Sequence, residues 1–94
     1  MPAYIIARID VTDPEEYATY ARQTVALAEA FGGRFLVKGG AQTVVEGDAP
    51  ARQVVVEFPD IRAARAWYDS PEYQAILPIA LRASKRDLVI VEGA

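Results

Sequence analysis

The sequence contains no histidine and no cysteine. Without histidine it lacks the usual general base near neutral pH and the commonest metal ligand. Zinc sites built on His or Cys are excluded, as is haem held by either residue. Ser-His and Cys-His nucleophile pairs and disulfides are excluded with them. The carboxylates that remain form no clustered motif, so neither a metal nor a cofactor is expected. No apolar run approaches the ~20 residues of a membrane span, and no basic, apolar, small-residue series opens the chain like a signal peptide. Together with the missing disulfides, this fits a cytoplasmic protein with no membrane partner. Neither G-x-G-x-x-G nor a Walker loop occurs, and Gly39-Gly40 alone reads as a turn. Net charge is -3 and the 10 basic residues are scattered. No cationic face for nucleic acid is expected.

What is present is a globular composition: 52% hydrophobic and 24% charged over 94 residues. This length makes one domain, residues 1–94. So short a chain buries only about two thirds of its unfolded surface, and pairing with a second copy is a common remedy.

The order of elements reads as strand, helix, strand, strand, helix, strand. From Ala3 to Asp10 apolar residues alternate in a period of two, with Ile5, Ala7 and Ile9 on one face and Tyr4, Ile6 and Arg8 on the other. Asp13 and Pro14 then supply an N-cap and a first helical residue, and Glu16 is placed to close a capping box. A stripe through Tyr17, Tyr20, Thr24, Ala28 and Phe31 has helical spacing, and Gly32-Gly33 ends it. Arg34 to Lys38 reads as a strand with Arg34, Leu36 and Lys38 on one face. After a kink at Gly39-Gly40, extended structure resumes from Gln42 to Glu46, and Glu46 to Ala51 forms a hairpin loop. Arg52 to Phe58 is a β-rich strand. Pro59-Asp60 starts a helix from Ile61 to about Tyr68, and Ser70-Pro71 starts a second piece that Pro78 should kink. The last strand spans Asp87 to Glu92.

This is the α+β, ferredoxin-like βαββαβ pattern, an antiparallel sheet with helices on one face. Its other face carries Ile6, Leu36, Val55, Leu88 and Ile90, which need cover. A second copy placed sheet to sheet supplies it, which makes the protein a homodimer. Tyr4, Arg8, Arg34, Lys38 and Glu57 point into the same space. Glu57 beside Arg8 and Arg34 is either a structural ion pair or a site in which an arginine holds an anionic or enolate oxygen and Glu57 accepts a proton. Trp67, Tyr68 and Tyr73 crowd the helix break. They read first as packing against the sheet, with Tyr68 on the central face of its helix and Trp67 at the edge, and second as the wall of a ligand pocket. Arg82 reaches either a carboxylate at the dimer seam or a ligand. Lys85-Arg86 and Arg62-Arg65 read as solvated charges.

Several blocks in order, "AYIIARIDVTDPEEYATYA", "GGRFLVKGG", "VVEGD", "VVVEFPD", "ARAWYDSPEYQ" and "LVIVEG", resemble the uncharacterised bacterial family called domain of unknown function 1330. The resemblance implies a dimeric α+β barrel, in which two ferredoxin-like protomers pair their sheets. Relatives in the wider superfamily include cofactor-free monooxygenases of polyketide-like aromatics, muconolactone isomerases and haem enzymes that depend on histidine. The family has no agreed activity, so no catalytic role carries over. Many members have an arginine near the position of Ala80, for which Arg82 is the nearest substitute. The expectation is a homodimeric barrel binding a small organic ligand, anionic or aromatic, as a cofactor-free monooxygenase- or isomerase-like enzyme. The alternative is a non-enzymatic accessory or stress-type dimer with a filled interior.

Overall fold

In a computed structural model, which describes all residues 1–94, the elements run β1 (Ala3–Val11), α1 (Pro14–Ala30), β2 (Arg34–Lys38), β3 (Arg52–Phe58), α2 (Ile61–Asp69), α3 (Pro71–Ala83) and β4 (Ser84–Glu92). The strands form one antiparallel sheet in the order β2-β3-β1-β4. All three helices lie on one face of it. The expected α+β, ferredoxin-like arrangement is therefore the observed one, with the first and third strands at the centre.

The caps form where the residue types place them. The Asp13 carboxylate accepts from the Glu16 amide, Asp60 from the Ala63 amide and Ser70 from the Tyr73 amide. The capping box is only half made, because the Glu16 side chain turns to Arg82 instead, whose Nε donates to it at 2.7 Å. The turn into α1 is pinned to the end of α3 by two amides, Thr12 and Asp13, donating to the Ala83 carbonyl. Helix α3 continues through Pro78, which faces solvent and gives up its one backbone bond there.

The core lies between the sheet and the helices. Ala3, Ile5, Ala7 and Ile9 of β1 meet Val56 and Phe58 of β3, and Tyr17, Tyr20, Trp67, Tyr73 and Ile76 from above. Full burial of a side chain the size of Phe58 stabilises by about 1.5–3 kcal/mol. The aromatic stretch at the helix break is core. Trp67, not Tyr68, occupies the central face of α2, while Tyr68 and Ile61 lie at its margin. The Trp67 and Tyr73 rings are 4.1 Å apart between centroids.

Three expectations are corrected. Residues 39–51 form no strand, so Gln42–Glu46 belongs to one long connection in which Val45 is 87% exposed. In β2 a bulge lies between Phe35, opposite Val56, and Val37, opposite Val55. One inserted residue reverses the alternation after it, so Lys38 joins the helix-side face rather than the outer one. In β4, Leu88 pairs with Ala7 and Ile90 with Ile5, so both lie under the helices, and Val89 and Val91 are the outward residues. The outer face thus has an apolar row, Val37-Val55-Ile6-Val89, running across all four strands.

Candidate functional site

Beside that apolar row lies Arg34-Glu57-Tyr4-Val91. Arg34 Nη2 donates to Glu57 Oε1 at 2.9 Å, and the Tyr4 hydroxyl donates to Oε2 at 3.2 Å. The structure therefore brings together three of the residues expected on this face. Arg8 stands apart: its neighbours are Gln53 and Asp87, and four residues of strand, roughly 13 Å, separate Gln53 from Glu57. The hydrogen bond from Tyr4 to the carboxylate raises the Tyr4 pKa. The cluster borders a shallow hollow over Pro2, Gly32 and Pro59. The Arg34 side chain is 73% exposed and that of Glu57 28%, so charge here is balanced and largely solvated.

A second cluster occupies the helix side of the sheet. Arg86, expected to be solvated, is instead half-buried beneath α1 and α3. Its Nη1 donates to the Tyr20 hydroxyl at 3.1 Å and its Nη2 to the Tyr73 hydroxyl at 2.7 Å. The two hydroxyls are themselves 2.7 Å apart. The ring of three has one proton too many: whichever tyrosine donates to the other, the acceptor's own O–H has no partner within the ring. Burial pushes the Tyr20 pKa well up, and the neighbouring Tyr73 adds to it. Burial alone would lower that of Arg86, but the two tyrosine oxygens outweigh it and hold the guanidinium above its ordinary range. Tyr17 is raised as well, first by burial and then by Tyr20.

This cluster lines a partly open cavity of about 40 Å³. The floor is Ile5, Ala7, Val54, Val56 and Leu88, and the walls include Tyr17, Tyr20, Phe35 and Trp67. Three cationic side chains reach it, Lys38, Arg52 and Arg86, and no carboxylate does. None of the three is in an ion pair. Two donors of the lining are buried with no acceptor, Arg52 Nε and Trp67 Nε1. Buried donors in folded proteins are nearly always satisfied, so these two are exceptions within the lining residues.

Of the other residues expected at a site, Trp67 lines this cavity and Tyr73 braces it through Arg86. Tyr68 faces a separate shallow groove with Ile61, Arg65, Leu88 and Ile90. Arg82 is taken up by Glu16. Arg52 and Arg86 were not read as site residues. Their signal appears only when the strands are in register, since each then stands opposite Ile9, one on either side of β1.

Solved structures with this fold are known. One is a protein of unknown function from Rhodopseudomonas palustris, RPA0582, with 17% identity and a TM-score of 0.79, covering 99% of this chain and 82% of that one. Another is SnoaB, a cofactor-independent oxygenase from Streptomyces nogalater, with 15% identity, a TM-score of 0.68 and coverage of 99% and 93%. A third is a dimeric ferredoxin-like protein of unknown function from Thermobifida fusca, with 21% identity, a TM-score of 0.67 and coverage of 99% and 92%. No curated protein matches the sequence. Residues 2–94 match the family described as Domain of unknown function (DUF1330), and the protein belongs to that family.

Proposed function

We propose that the protein is a homodimeric α+β barrel whose protomers each bind a small organic acid, apolar in body and anionic at its head, between sheet and helices. The observation that carries this reading is the charge surplus of the cavity: three cations line it and no carboxylate does. An anion supplies what the lining lacks, and the apolar floor suits the rest of the molecule. The homodimer reading rests on the apolar row Val37-Val55-Ile6-Val89, a patch soluble monomers rarely leave open. The Thermobifida neighbour, described as dimeric, supports it. In such a pair the Arg34-Glu57-Tyr4 cluster lies along the seam. There the Glu57 carboxylate is already engaged on both oxygens, which suits a structural ion pair better than a base.

If the site is catalytic, the chemistry it favours is that of a cofactor-independent oxygenase such as SnoaB is described to be. The lining holds no base: with raised pKa values, Tyr17 and Tyr20 are hydrogen-bond donors at neutral pH. A substrate there must be acidic enough to lose its proton to solvent water at the cavity's open side, and the guanidinium of Arg86 then stabilises the resulting oxyanion. A non-enzymatic dimer is the second reading. It is favoured by the cavity's size, about 40 Å³, far below the ~300 Å³ of a smaller ligand pocket. Native mass spectrometry of gently purified protein tests the whole. A dimer retaining an organic acid, lost on denaturation, is expected. A monomer overturns the assembly, and a dimer that takes up no acid from a panel leaves the non-enzymatic reading.

A further inference from the structure

We infer that Arg52 and Arg86 form a two-guanidinium clamp for the carboxylate of a flat aromatic acid, and that Gly39 is the positioning residue for Arg52. The inference rests on the proposed binding of an organic acid and specifies its head group and its recognition. On the helix face, β3, β1 and β4 present the row Arg52-Ile9-Arg86. Ile9 is buried between them. Strands lie ≈ 4.8 Å apart, so the two arginine stems are separated by roughly 10 Å. Both guanidiniums border the cavity, that of Arg52 lying 6.0 Å from the Tyr17 centroid and that of Arg86 5.2 Å from the Tyr20 centroid. A carboxylate has two oxygens in one plane, and a guanidinium presents a planar fork of donors to them. Arg86 gives one N–H of each Nη to a tyrosine and keeps its Nε–H and the second N–H of each Nη, so it and Arg52 can address the two oxygens of a carboxylate lying over Ile9 from either side. The next row toward the other end of the sheet is Lys38-Val54-Ala7-Leu88, followed by Phe35-Val56-Ile5-Ile90. The surface therefore passes from cationic to apolar in three rows, and the Trp67 and Tyr20 rings stand above it. That gradient matches in polarity a planar ring with a carboxylate at one end, and the cavity of about 40 Å³ must widen to admit it.

The two arginines are held differently. Tyr20 and Tyr73 fix Arg86. Arg52 is held by shape: the turn after β2 passes so close that a Cβ on Gly39 would lie 2.1 Å from Arg52 Nη1. Gly39 has φ +66 and its amide donates to the Gln53 carbonyl at 2.8 Å. A glycine here leaves room for the guanidinium, and a side chain would force it to shift.

The test is calorimetric titration of the intact protein with benzoate, benzyl alcohol and acetate. Benzoate is expected to bind, with benzyl alcohol and acetate each weaker by about tenfold or more, since a hydrogen-bonded charge or an aromatic ring is lost in turn. Arg52→Gln should weaken benzoate by about tenfold or more and leave benzyl alcohol unchanged. Arg52→Lys should recover only part of the loss, because it keeps the charge and removes the fork. Gly39→Ala should weaken benzoate in the wild-type background and add nothing to Arg52→Gln, which separates positioning from a general loss of fold. Benzoate and benzyl alcohol binding equally, with Arg52→Gln affecting neither, overturns the clamp and leaves an apolar binding site standing. Acetate binding as tightly as benzoate overturns the aromatic part. Binding of none of the three at millimolar concentration overturns both the clamp and the organic-acid reading.

Discussion

The two faces of the sheet each hold a tyrosine-arginine cluster, and the clusters differ in how their charge is answered. On the outer face Arg34 has a carboxylate, Glu57, and Tyr4 completes it. On the helix side Arg86 has two hydroxyls and no carboxylate, and Arg52 beside it has neither. An exposed, balanced pair is worth little and requires no ligand. A half-buried cation with no carboxylate beside it loses hydration without a counter-charge, and is a candidate for a site that an anion completes. Residue type alone does not separate the two cases, since the same side chains appear in both. Burial and the count of protons and charges do.

The sharpest way to break this contrast is to remove one ring from each side. Tyr73 is fully buried, stacks on Trp67 and holds Arg86. Tyr73→Ala should cost about 3–5 kcal/mol, the range for large aromatic truncations in a core. Tyr4→Ala removes one hydrogen bond from a partly buried residue and should cost less, about 1 kcal/mol. Urea unfolding at one fixed protein concentration measures both, because association would otherwise shift the midpoint. Equal losses would mean that the outer face is as tightly packed as the core.

Alkaline pH sharpens the same contrast with a smaller effect. Tyr20 has its pKa raised by burial. The folded protein therefore holds that proton at pH values where the unfolded chain, titrating near ~10, has lost it. The stabilisation is complete below the unfolded value and is lost as pH rises through and above it. The slope is about 1.4 kcal/mol per pH unit for one such group. Unfolding free energy measured from pH 9 to 11 should thus fall more steeply in the wild type than in Tyr20→Phe. Parallel curves would show that Tyr20 ionises in the folded state as freely as in the unfolded.

Much of the fold was legible from local chemistry. Asp13-Pro14, Asp60 and Ser70-Pro71 mark helix starts because a cap is decided within three residues. The alternation in β1 placed Tyr4 and Arg8 on one face and Ile5 and Ile9 on the other, as observed. What was not legible depends on pairing. In "DLVIVE" Leu88 and Ile90 alternate with Val89 and Val91, so both faces are apolar and only the register against β1 assigns them. The bulge at Leu36 leaves no mark in "RFLVK", yet it carries Lys38 to the opposite face. Arg86 follows Lys85 and has the look of surface charge. Its partners Tyr20 and Tyr73 are 66 and 13 residues away, beyond the reach of any local pattern. The Arg34-Glu57 pair was found because outward alternation on adjacent strands is local information. The Arg52-Arg86 pair was missed because it exists only once three strands are aligned.

The smallest expected effect is on the outer face. Glu57→Gln removes the charge that Arg34 and Tyr4 address while keeping the shape of the side chain. Only the arginine of the pair is well exposed, so its loss should cost about 1 kcal/mol, and added salt should reduce the difference by screening it. The same variant also discriminates between roles. If Glu57 is a seam ion pair, Glu57→Gln alters the dimer's salt dependence and leaves benzoate affinity where it was, because the cavity lies on the other side of the sheet. If instead Glu57 accepts a proton from a ligand held between the two sheets, the variant should lose uptake of that ligand from a panel of acids while the dimer persists. Native mass spectrometry reads both quantities in one experiment. A Glu57→Gln dimer that keeps its acid assigns the site to the helix side of the sheet, and one that loses it returns the site to the outer face.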